Sequence, residues 1–132
     1  MSYNALKECR DALISDSTLT SLVPASNINV GWLKTDASFP CITITQAAGT
    51  DIGQLGRNSA SSGSKLDREI ILLQLNIYSR DSISNVYKIR DAIKRVMMSQ
   101  SFTQTVDRDG WEEPIKSYSK TTVWQKIILN AD

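Results

Sequence analysis

The grouped carboxylates are the first candidates for chemistry. Asp107 and Asp109 flank Arg108, and Glu112 and Glu113 follow closely. Paired carboxylates act as general acid and general base when their surroundings split their pKa values. These four share a polar segment with Gly110, which reads as solvated. Lys88, Arg90, Lys94 and Arg95 form a basic group that can meet phosphates or an acidic partner. Asp91 sits among them and no aromatic residue interleaves, so they read as a solvated helix face, not a base-stacking surface. The chain has no His, which removes the commonest general base and metal ligand. Ser-His-Asp triads, Cys-His nucleophiles and His-ligated zinc are therefore excluded.

Cys9 and Cys41 are the only thiols. They cannot build a four-thiolate zinc site, and their spacing is no CxxC motif. Both have apolar neighbours and read as small core residues, with a Cys9–Cys41 disulfide left open. The glycine-rich stretch GTDIGQLGRNSASSGS, residues 49–64, invites a phosphate-loop reading. It lacks GxxxxGK[ST] and precedes a strand, so the helix N-terminus that would hold the phosphate is missing. Gly53-Gln54-Leu55-Gly56 matches the letters of a KH loop, but that loop joins two helices and this one joins two strands. No catalytic residue, metal site or cofactor is expected.

The surrounding elements follow from periodicity. Leu6, Cys9 and Leu13 mark an amphipathic helix over residues 3–15. Asp16–Val23 adds a short helical turn that Pro24 stops. Asn27–Leu33 alternates weakly as a strand that carries Trp32, with core packing the expected fate of that side chain. After Pro40, CITITQA reads as a half-buried strand. The strongest strand lies within residues 67–79: Ile71, Leu73, Leu75 and Ile77 share one apolar face, opposite a mixed face, as suits the middle of a sheet. It pairs with the strand at 41–48, and residues 49–65 form a long, flexible tip too polar to order itself. Asp81 or Ser82 caps a helix striped by Ile83, Val86, Ile89, Ile93 and Val96. Asp109-Gly110 signals a turn. A last strand, TTVWQKIIL, carries Trp124, expected to be half buried.

This order predicts an α+β fold: one domain over residues 1–132, with a small, mainly antiparallel sheet of three to four strands. Two helices pack on one face, and a long hairpin loop projects. The chain has 132 residues and 41% hydrophobic content, enough for a real core. A net charge of +1 gives no general attraction to nucleic acid or anionic lipid. The N-terminus does not read as a signal peptide, and no apolar run reaches a membrane span. A soluble protein made in a reducing compartment is expected.

An open sheet with two edges, a long polar loop and no catalytic set suit a subunit of an assembly. Asp51, Gln54, Leu55, Arg57, Asn58 and Lys65, on or beside the loop, are candidate contacts with neighbours. Trp111 is another, because aromatics anchor interfaces; the alternative is that it folds back over the sheet end.

The sequence also resembles a known family. ALKECRDALISDSTLTSLV, NINVGWLK and FPCITITQAAGT are followed by DREIILLQLNIYSRD, SISNVYKIRDAIKRVM and TTVWQKIIL. This order, with Phe39-Pro40 before one strand and Gln74–Asp81 running into a helix, resembles the tail-completion or tail-terminator proteins of tailed bacteriophages. The resemblance implies a non-enzymatic virion protein, made in the host bacterial cytoplasm and placed in the tail neck. It implies a hexameric ring at the head-proximal end of the tail tube, which stops tube polymerisation and docks the tail to the head connector. The loop would then face the lumen or a neighbour, and Arg57 and Lys65 could meet tube subunits or passing DNA. Another neck or head-completion subunit is the alternative within this class. A small nucleic-acid-binding module is the alternative outside it, and the near-neutral charge disfavours that.

Overall fold

The computed structural model describes residues 4–51 and 66–131. Three helices and five strands follow in the order α1 (Ala5–Ile14), α2 (Ser17–Leu22), β1 (Ile28–Val30), β2 (Cys41–Asp51), β3 (Leu66–Ser79), α3 (Ile83–Ser99), β4 (Thr103–Glu112) and β5 (Ser117–Ala131). Each helix start has a side-chain cap that accepts an otherwise unpaired backbone N–H. Asn4 accepts from Lys7, Asp16 from Leu19, and Ser82 from Asn85.

The sheet runs β1-β2-β3-β5-β4. β1 pairs parallel with β2, and every other pairing is antiparallel. The expected α+β class holds, but the described residues form a sheet of five strands, not three or four, and three helices, not two. The short turn after Asp16 is a full helix, α2.

The added strand is β4. Asp109-Gly110 is no turn: Asp109 pairs with Lys120 and Gly110 with Ser119 inside the ladder. The chain reverses later, through a short 3-10 helix at Glu113–Ile115 and Lys116, whose φ is 51°. No residue of β4 is buried, so its sequence lacks the apolar alternation that marks a strand. β2 also continues to Asp51, which moves the near end of the loop expected at 49–65, while β3 starts at Leu66 and leaves its far end in place.

Cross-strand register explains the core. Ile42 faces Ile77, Ile44 faces Leu75, and Leu73 faces Trp124. These side chains point to one face, where α1, α2 and α3 cover them with Cys9, Leu13, Leu19, Val86, Ile89, Ile93 and Met97. Trp124 is fully buried, not half buried. It can be, because its Nε1–H donates to Thr122 Oγ1 at 2.9 Å and Thr122 donates to the Leu75 carbonyl at 2.9 Å. Cys9 and Cys41 are both buried free thiols. Burial pushes Cys9 up to about 12 and Cys41 up to about 11, the latter against a pull downward from Arg80.

Candidate assembly surface

The carboxylates that looked solvated are tied into an ionic cluster between β4, β5 and α3. Strand parity puts Asp107, Asp109 and Lys120 on the helix-covered face. Lys120 Nζ lies 2.5 Å from Asp107 Oδ1 and 2.6 Å from Asp109 Oδ1, with its side chain only 4% exposed. From α3, Arg90 pairs with Asp107 and, at 2.9 Å, with Asp91. The Tyr87 hydroxyl donates to Asp109 at 2.6 Å, and the Lys120 ammonium stands 4.6 Å from the Tyr87 ring centroid.

The titration shifts follow from this packing. Burial alone would pull Lys120 down, but the hydrogen bonds and attraction of Asp107 and Asp109 outweigh it and raise its pKa. Asp107 is pushed up by burial and pulled further down by Lys120 and Arg90, for a net lowering. Asp109 is lowered, first by its hydrogen bond from Lys120 and next by the one from Tyr87. The cluster therefore keeps both carboxylates ionised and lowers both pKa values, so it does not produce the split that acid-base catalysis needs.

The basic face of α3 is also partly committed. Arg95 Nη2 pairs with Asp16 at 2.7 Å. Asp16 is held low by the Leu19 backbone N–H and by Arg95. A groove of about 650 Å³ beside this pair is lined by Glu8, Asp11, Asp16 and Arg95. Among the described residues no group of three or more His, Cys, Asp or Glu is placed to hold a metal ion. Among them, too, no helix is long and apolar enough to cross a membrane.

Large aromatic and apolar side chains also stand on the surface. Trp32 is not in the core: β1 stops at Val30, Gly31 turns the chain at φ 108°, and Trp32 stands 81% exposed. Trp111 is half exposed at the end of β4. Its ring packs edge-on against Tyr118 at 5.0 Å and its Nε1–H donates to Glu113 at 2.6 Å. Of the loop candidates, Asp51 ends β2, where its backbone pairs with Glu69. Gln54, Leu55, Arg57, Asn58 and Lys65 lie outside the described residues. Lys120 stands outside the residues that the sequence singles out. Its inward parity with Thr122 and Trp124 was the available signal, because an inward ammonium needs carboxylate partners.

An α+β chain whose best-formed polar cluster is an internal clamp, and whose two exposed tryptophans stand at its sheet edges, has the build of a structural subunit. The chain belongs to the family described as tail completion protein gp17, whose model matches residues 7–117. It is thus a structural protein of the bacteriophage tail and a component of the virion. A search of curated proteins finds no match. Among solved structures, a chain of the "Virion of native gene transfer agent (GTA) particle" has the same fold. The TM-score is 0.75 at 7% identity, over 97% of this chain and 100% of that one.

Proposed function

We propose that this protein forms a ring, hexameric in the completed tail, at the head-proximal end of the tail tube. The ring ends tube polymerisation and docks the tail to the head connector. Its partners are further copies of itself, the tail tube protein and the neck proteins, and genome DNA passes through the lumen without specific contacts. It carries out no catalysis. The observation that carries this reading is the tail-completion family match over residues 7–117. The likeness to a chain of a gene transfer agent virion, over 97% of this chain, supports the fold side of it. The near-balanced charge, 15 basic against 14 acidic residues, suits packing against other proteins.

Asp51, Gln54, Leu55, Arg57, Asn58 and Lys65 are proposed to reach the neighbouring subunit or the lumen. Deleting residues 53–62 should then block tail completion while the remaining chain still folds. Normal infectious tails from the deletion would remove the loop from the contact surface. Negative-stain imaging of the purified protein, alone and with tail tube protein, tests the ring directly. Rings with a central hole are expected. A monomer under every condition would overturn the reading.

A further inference from the structure

The described chain has seven exposed large hydrophobic side chains, and five of them stand at the two edges of the sheet. Val30 and Trp32 lie at and just beyond the β1 edge, while Val106 and Trp111 lie on β4 and Tyr87 packs beside β4 from α3. Scattered exposed apolar residues are ordinary, but concentration at two places is not. In the order β1-β2-β3-β5-β4 these places are opposite ends of the sheet.

The two edges differ. β1 is three residues long, and Arg10 Nε already donates to its Ile28 carbonyl at 2.8 Å. β4 is ten residues long and open on its outer side. A two-fold contact joins like to like and would leave one apolar edge of every copy in water. A head-to-tail contact covers both. The charges allow it: Lys34 and Asp36 flank the Trp32 edge, Arg108 and Glu112 the Trp111 edge, and none of the four forms a salt bridge among the described residues. Trp32 alone offers roughly 200 Å² of contact, about a quarter of one side of a standard interface.

We infer that the Val30–Trp32 edge of one copy docks against the β4 edge of the next, where Tyr87 and Trp111 stand on the helix-covered face and Val106 on the opposite one, in the order that closes a ring. This rests on the ring reading above and names its contact.

Two blocked variants test it by mass measurement in solution, with and without tail tube protein. Trp32→Glu and Trp111→Glu each remove one edge, and each should weaken self-association by at least roughly thirtyfold, as loss of an interface anchor does. Mixed in equal amounts, they should form dimers and nothing larger, because one good contact remains per pair. If Trp111→Glu does not melt cooperatively, Val106→Glu replaces it. Both variants assembling like the wild type would overturn the edge contact and leave the ring standing. Blocked variants that stay monomeric when mixed would overturn head-to-tail docking. A wild type that never assembles would overturn the ring reading itself.

Discussion

The Lys120 cluster makes an uneven prediction about which partner matters. Lys120 is almost fully covered, whereas the side chains of Asp107 and Asp109 are 28% and 45% exposed. Replacing Lys120 with Met removes the buried charge and keeps most of the stem that fills the slot. Asp107 then still has Arg90, and Asp109 still has the Tyr87 hydroxyl. The expected cost is about 1 kcal/mol. The double change Asp107→Asn, Asp109→Asn keeps oxygen acceptors in place but strips the counter-charge from a covered ammonium. A buried charge left alone costs about 3 kcal/mol, the low end of the range, because water reaches the two carboxylate positions. Adding Lys120→Met to the double variant should recover most of that loss. Urea unfolding at neutral pH measures all three. The pH dependence has a sign of its own. In the wild type the raised Lys120 pKa gives stability that is full below the unfolded value of about 10.4 and is lost as pH rises through the folded value. In the double variant burial acts unopposed and lowers that pKa, so the penalty is full at low pH and relaxes as pH climbs toward about 10. Its stability deficit should therefore shrink in alkali. A Lys120→Met variant weaker than the double variant, or a deficit that stays level from neutral to alkaline pH, would refute charge compensation as the reason for the cluster.

Three further outcomes follow from the same contacts. The lowered pKa values of Asp107 and Asp109 give stability that is present above the unfolded value of about 3.9 and lost as pH falls through the folded values, so hydrogen exchange in β4 should speed up below about pH 4 before it does in β3. Ile93→Asp buries an unpaired carboxylate on α3 and should abolish cooperative thermal unfolding; a melt near that of wild type would show the helix face to be misplaced. Cys9 and Cys41, covered and with raised pKa values, should resist a thiol reagent at mildly alkaline pH in the folded protein and react together once urea unfolds it.

The sequence made β3 and α3 legible because their side chains are sorted by burial. Ile71, Leu73, Leu75 and Ile77 are all nearly or fully buried, at a spacing of two. Val86, Ile89, Ile93, Val96 and Met97 do the same at helical spacing. β4 was not legible because no such sorting exists there: it is an edge strand held by its ladder with β5 and by ion pairs. Asp109-Gly110 carries a turn signal that the long β5 template overrides. Trp32 was misplaced for a related reason. Alternation through Ile28, Val30 and Trp32 suggested a buried row, but Gly31 ends the strand and turns the Trp outward.

The same distinction explains how much of the functional surface could be read. The sequence points to contacts where the chain is least apolar, in the loop, and at Trp111. The structure instead pairs the polar groups nearest the sheet with one another: Asp107 and Asp109 with Lys120, Arg90 with Asp107, and Arg95 with Asp16. Those pairings need residues far apart in sequence, such as Asp16 and Arg95, and no local pattern records them. Once they are made, the acidic groups nearest the sheet are no longer open to a ligand, and the largest exposed side chains beside them are aromatic. The net charge of +1 is set by composition, 15 basic against 14 acidic residues; the fold adds the pairing of the charges nearest the sheet, beside which Trp32 and Trp111 stand as the strongest anchors for a neighbour.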